Sequence, residues 1–290
     1  MGERVKNVSE AGARAARPFE EGDLCLLIDP KQRRRIMRLD RRQHFHHVRT
    51  GRIDHTDIIG KAPGLRIKGP LMGEIVCLRP TFEEFIMRRL KRSTQIIYPK
   101  DLGPILLRGD IFPGGRVLES GIGSGSATSV LLRYLGDGEL ISYEQRPEFA
   151  DNVAKTLREI EAAFGPFQAR HQVEIRDVYE GIDEEGLDAV LLDVPEPHNA
   201  AAHAARALRP AGVLLCWLPT ALQVYTLVRE LQGSGQWAEI TTEETLLRNW
   251  DVSEGSVRPA HRMVAHTGFL IRARRVEELR LDPREDASDD

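Results

Sequence analysis

From Gly115 onward the chain alternates short apolar runs with stretches whose apolar residues recur at spacings of three and four. The runs are "RVLES", "ELISYEQ", "VEIRDV", "AVLLDV", "GVLLCWLP" and "GFLIRARR". Between them lie "SATSVLLRYLG", "PEFADNVAKTLREIEAAFG", "NAAAHAARALRP" and "TALQVYTLVRELQGSG". The first set reads as buried strands and the second as amphipathic helices. Strands alternating with helices predict an α/β fold: a mostly parallel sheet covered on both faces, with ligands at the carboxyl ends of its strands.

Before Gly115 the pattern changes. "DLCLLID", "HFHHVRTGRIDHTDIIG", "LRIKG" and "GEIVCLRP" are short, β-branched and interrupted by glycine, as in a small antiparallel sheet or barrel. "TFEEFIMRRL" then reads as a helix entering the larger domain. These textures predict a loose tail over residues 1–18, a small β domain over 19–80, the α/β domain over 81–275 and an acidic disordered tail over 276–290.

Composition narrows the class without deciding it. The chain has 290 residues, enough for one large domain and a smaller one, and its 41% hydrophobic and 29% charged content is ordinary for a globular protein. No apolar run resembles a signal peptide or reaches the roughly eighteen residues of a membrane span, so a cytoplasmic protein is expected. Cys25, Cys77 and Cys216 are too few and too widely spaced for a disulfide framework or a zinc cluster, and read as core thiols. The net charge of -3 hides an uneven distribution. Lys31, Arg33, Arg34, Arg35, Arg38, Arg41, Arg42 and Arg49 face a single acid, Asp40, over residues 31–49. Such a run is a solvated face or a surface that meets phosphates.

The candidate chemistry begins in "VLESGIGSGSATSVLL". Glu119, Gly121, Gly123 and Gly125 stand between a strand and a helix, where glycine lets the backbone turn tightly and approach a ligand. A dinucleotide fingerprint would carry a third glycine at Ser126; here the spacing is G-x-G-x-G with an acid two residues before it. That arrangement resembles the cofactor loop of class I S-adenosylmethionine-dependent methyltransferases. The second strand ends on Glu144, placed to accept hydrogen bonds from two ribose hydroxyls. The third ends on Asp177, an acceptor for an adenine amino group. The fourth ends on Asp193 in "LLDVPEPHN", six residues ahead of the next helix and so too far to cap it. Pro195 and Pro197 stiffen that segment and keep it out of helix.

These residues together resemble the tRNA (adenine-58-N1)-methyltransferase family over most of the chain. "KRSTQIIYPKDLGPIL", "LESGIGSGS", "ISYEQR", "LLDVPEP" and "RPAHRMVAHTGFLIRARR" match its motifs in order, and "GRIDHTDIIG" is similar to its small β domain. The resemblance implies a Rossmann-like class I methyltransferase with a mostly parallel seven-stranded sheet, plus a small N-terminal β domain. It implies S-adenosyl-L-methionine as cofactor, tRNA as substrate, no metal and self-association as a homotetramer. The implied cofactor residues are Gln95, Glu119, Gly121, Gly123, Ser124, Gly125, Ser126, Glu144, Gln145, Asp177 and Asp193, with Asp193 and Tyr98 catalytic. The basic stretch then acquires a purpose as an RNA-binding surface. One departure is His198, where many members carry Trp. The competing readings are a methyltransferase for a small molecule or a protein carboxylate, a nicotinamide-dependent dehydrogenase, and a non-catalytic RNA-binding subunit. The glycine spacing disfavours the dehydrogenase, and the intact set of acids disfavours the non-catalytic subunit.

Overall fold

The computed structural model describes residues 17–48, 50–69, 73–90 and 95–277. Most of the expected N-terminal tail, Arg49 of the basic stretch and residues 278–290 of the expected acidic tail lie outside the described residues.

The N-terminal region is antiparallel. Strands β1 (Leu24–Ile28), β2 (Arg34–Arg38), β5 (Leu65–Lys68) and β6 (Glu74–Leu78) form a sheet in the order β2-β1-β6-β5, while β3 (His44–His47) and β4 (Gly51–Asp54) pair as a separate ribbon. Phe19, Cys25, Leu27, Leu39, Ile53, Ile58, Ile75 and Cys77 form the core here. Strand β2 comes from the basic stretch, which showed no strand pattern. It buries only Ile36, and its arginines stand outward on a sheet edge, where charge discourages pairing with other chains. The turn leading into it is set by Asp29, whose carboxylate accepts from the Lys31 and Arg33 backbone N–H groups at 2.8 and 2.9 Å. The expected helix follows as α1 (Phe82–Arg88), started by a reciprocal Thr81–Glu84 capping box.

The larger sheet has seven strands in the order β12-β15-β11-β10-β7-β8-β9. They are β7 (Arg116–Ser120), β8 (Glu139–Glu144), β9 (Arg170–Ile175), β10 (Leu187–Leu192), β11 (Leu208–Leu218), β12 (Trp237–Glu243) and β15 (Phe269–Arg275). Only β15 runs against its neighbours. The hairpin of β13 (Trp250–Ser253) and β14 (Ser256–Pro259) interrupts the chain before β15. Helices α2 (Pro99–Arg108), α3 (Ser126–Tyr134), α4 (Pro147–Phe164), α5 (Ala201–Ala207) and α6 (Ala221–Gly233) complete the fold.

Four of these helices fall where the three-and-four spacing predicts them; α2 was not anticipated, because Pro99 and Pro104 mask its pattern. Pro99 suits a first helical turn, where its missing N–H is no loss. Strand β12 was also unannounced, since its burial alternates with polar positions as befits an edge. The described residues divide into two compact units: those up to Pro99 with Gly123–Ser129 and Asp151–Phe167, and Lys100–Ile122 with Val130–Ala150 and those from Gln168 onward.

Candidate active site

The middle strands deliver their carboxyl ends to one place. Strand β7 is buried through Glu119 and Ser120, which are 2% and 4% exposed. Glu119 Oε1 accepts from Ser142 Oγ at 2.7 Å, and Ser142 Oγ lies 2.9 Å from His171 Nε2. Burial pushes His171 down to about 4, so the ring is neutral and its Nε2–H supplies the proton for the second bond. This packing fixes Glu119 at the strand end.

The backbone then turns at Gly121 with φ +90°, where a Cβ would stand 2.1 Å from the Asp193 carbonyl oxygen. No residue larger than glycine fits between the two segments without moving one of them. The Asp193 N–H also donates to Ser120 O at 2.9 Å. The glycine turn and the fourth strand's acid are therefore locked together by backbone contact. Asp193 itself is half-buried. Burial, with the Glu119 charge as the second cause, pushes its carboxyl up to about 7.

A cavity of about 320 Å³ opens above these ends, lined by Gly121, Glu144, Gln145, Asp177, Tyr179 and Asp193 among others. Glu144 is 4% exposed. Its Oε1 accepts from the Arg146 N–H at 3.1 Å and from Arg146 Nε at 3.2 Å. Its Oε2 is buried without a hydrogen-bond partner among the described residues. A buried carboxylate oxygen left unsatisfied calls for a donor from outside the chain. Asp177 lies two residues beyond the end of β9, with Oδ1 accepting from the Tyr179 N–H at 2.8 Å. A nucleoside whose hydroxyls meet Glu144 and whose base meets Asp177 suits this wall. Asp193 lines the same cavity, and the buried Glu119, which is not among the lining residues, lies near enough for its charge to raise the Asp193 carboxyl; that repulsion suits a positively charged ligand group.

The remaining expected residues lie in the other compact unit. Gly123 and Gly125 take φ +48° and +80°, and Ser126 begins α3. Ser126 Oγ donates to the Ile97 carbonyl at 2.9 Å, which seats the segment carrying Gln95 and Tyr98 beside the start of the helix. A Cβ at Gly125 would meet the Val153 methyl groups at 3.3 Å. Ser124 is buried and lines a separate cavity with Phe85, Leu90, Asn152, Lys155, Thr156 and Glu159. Tyr179 and Gln223 carry no motif and escaped the sequence reading, yet each grips the Asp193 segment. The Glu196 N–H donates to Tyr179 Oη at 2.9 Å, and Gln223 Nε2 donates to the Pro195 carbonyl at 2.9 Å. His198 sits half-buried in the short 3-10 turn Pro197–Ala200 that follows.

The family model described as the tRNA methyltransferase complex GCD14 subunit matches residues 73–266, and one for a TrmI-like N-terminal region matches residues 18–67. The chain is 35% identical over 232 residues to the tRNA (adenine(58)-N(1))-methyltransferase TrmI of Thermus thermophilus, covering 80% of this chain and 88% of that one. Among solved structures it resembles a SAM-dependent O-methyltransferase of Thermotoga maritima, with TM-score 0.83, 32% identity, and 91% and 96% of the two chains covered. It also resembles the tRNA (m1A58) methyltransferase TrmI of Aquifex aeolicus, with TM-score 0.80, 30% identity, and 90% and 100% covered. On the family match, the fold and these likenesses, the chain belongs to the tRNA (adenine-58-N1)-methyltransferase family, on the class I S-adenosylmethionine-dependent methyltransferase fold.

Proposed function

We infer that the protein transfers a methyl group from S-adenosylmethionine to N1 of adenine 58 of tRNA. The observation that carries this reading is the backbone lock between Gly121 and Asp193 in the lining of a cavity that also holds the unsatisfied Glu144 oxygen. When bound, the cofactor supplies a methyl group already activated by positive sulfur. Glu144 would accept from its ribose hydroxyls and Asp177 from its adenine amino group, with Gln145 in the same wall. The family resemblance would assign Gly121, Gly123, Ser124, Gly125, Ser126 and Gln95 to its methionine part.

Adenine N1 keeps its lone pair at neutral pH, so no base is needed to uncover it. Positive charge develops on the purine as the methyl arrives. An ionised Asp193 accepting from the exocyclic amino group orients N1 and stabilises that charge, which is electrostatic preorganisation. Tyr98 is the second catalytic candidate, by the family resemblance. Because the base is folded within tRNA it must be extruded, costing a few kcal/mol that contacts elsewhere offset. The basic N-terminal β domain supplies such contacts in this reading. Arg33, Arg34, Arg38 and Arg41 already pair with Asp29, Glu84, Glu159 and Glu21. Arg35 and Arg42 are exposed, with no ion pair among the described residues, and are the better phosphate contacts.

Self-association as a homotetramer belongs to the same proposal. Its support is the run of exposed apolar residues Leu246, Leu247, Trp250, Val252, Val257 and Val264 on and around the β13–β14 hairpin. Among the described residues no helix is long and apolar enough to cross a membrane.

The test is labelled S-adenosylmethionine with unmodified tRNA, followed by mapping of the modified position. Transfer is expected at adenine 58 and lost when that base is replaced. Asp193→Ala is expected to abolish transfer while cofactor binding survives. Transfer only to an oxygen acceptor, the activity named for the Thermotoga maritima protein, would overturn the reading.

A further inference from the structure

The loop after β9 and the segment after β10 are tied together through one residue, Tyr179. Tyr179 has all three of its polar groups engaged. Its N–H donates to Asp177 Oδ1 at 2.8 Å, its hydroxyl oxygen accepts the Glu196 N–H at 2.9 Å, and its carbonyl accepts from His203 Nε2 at 3.2 Å. Arg206 donates to His203 Nδ1, which leaves the ring's proton on Nε2 and fixes the sense of the last bond. Asp177 faces the cavity from one loop, Glu196 follows Asp193 on the other, and His203 lies on α5, which continues from it. The ring of Tyr179 lines the same cavity, and burial pushes its phenol up, so the hydroxyl stays protonated as a neutral acceptor.

We propose that Tyr179 is a positioning residue that couples the adenosine end of the cofactor site to the segment carrying Asp193. The proposal rests on the functional reading above. The coupling has a direct physical route. A base that engages Asp177 orders the Asp177–Tyr179 turn. That turn holds Glu196 by its N–H and His203 by its ring, so residues 194–203 are ordered with it. Gln223 braces the same segment from the other side through the Pro195 carbonyl. Occupancy at the adenine end is thereby felt where the target base is oriented, although Tyr179 touches no reacting atom.

Tyr179→Phe removes the hydroxyl acceptor and keeps the ring. A positioning role predicts that kcat for tRNA methylation falls about 3–10-fold, the worth of one net hydrogen bond, while the cofactor Kd stays within about twofold. His203→Ala, which cuts the second tie and spares the ring, is expected to lower kcat in the same direction. An unchanged kcat in both variants, or a loss confined to cofactor affinity, overturns the proposal. Hydrogen exchange gives a second readout that needs no methyl transfer. Adding S-adenosylhomocysteine to the wild-type protein is expected to slow exchange over residues 194–199, and Tyr179→Phe to lose most of that protection. Equal protection in the two proteins, or none in the wild type, overturns the coupling. If the wild type fails to methylate tRNA but shows the Tyr179-dependent protection, the functional reading falls and the coupling stands.

Discussion

Asp193 concentrates the electrostatics of the site in one carboxyl group. Its ordinary value of 3.8 rises to about 7 through burial and the Glu119 charge. Between those pH values the folded chain holds a proton that the unfolded chain has released. Stability from this group is therefore full below the unfolded value and is lost as pH rises through 7. Asp193→Asn is expected to stabilise the fold at pH 8 by on the order of 2 kcal/mol, with the gain shrinking towards pH 4. Chemical denaturation at both values measures it, and an equal gain at each would refute the raised pKa. The same charge logic applies to ligand binding. A cationic cofactor favours the ionised form, so binding at pH 7 is expected to release a proton from Asp193. Calorimetry in two buffers of different ionisation enthalpy reads that release, which should vanish in Asp193→Asn. None of this was readable along the chain: the strand-end acids were visible as a pattern, but the Glu119–Asp193 repulsion and the orphan oxygen of Glu144 depend on which strands become neighbours.

At the level of elements, the turn after β7 is the most constrained piece. Gly121 combines a left-handed φ of +90° with a backbone neighbour 2.1 Å from where a Cβ would stand. Gly121→Ala is expected to cost about 2–4 kcal/mol in stability and at least tenfold in cofactor affinity, measured by denaturation and by calorimetry. A variant that binds normally would show that the turn yields without disturbing Asp193. The glycine spacing announced this turn because backbone strain is written in residue type. Other elements left no such mark. Strand β2 buries one side chain and β12 alternates with polar residues, so neither makes an apolar run. The buried pair of Lys100 and Asp101 is a further case. Lys100 Nζ donates to Asp101 Oδ1 at 2.8 Å, Thr245 O at 2.6 Å and Thr267 Oγ1 at 2.6 Å, joining α2 to both ends of the excursion that carries the β13–β14 hairpin. Two adjacent charged residues read locally as surface; only their distant partners make burial tolerable.

For the molecule as a whole, substrate and assembly turn on surfaces. Arg35→Glu with Arg42→Glu is expected to weaken tRNA binding and flatten its dependence on salt, since each lost phosphate contact removes about one released counterion. A filter-binding titration with an unchanged slope would place the RNA surface elsewhere. Trp250→Glu with Val257→Glu puts charge on an apolar surface proposed to meet other copies, and light scattering should then report a smaller species than the wild type. An unchanged mass would remove the hairpin from the interface. The sequence by itself determined the α/β alternation, the glycine turn and the acids at the strand ends, because hydrophobic period, φ preference and strand termination are local properties of the chain. Only the tertiary structure decided which arginines were already spent in ion pairs, which carboxylates repel each other, and that Tyr179 bridges two loops. Those facts depend on residues far apart in sequence meeting in space, where burial and a low dielectric set the strength of each contact.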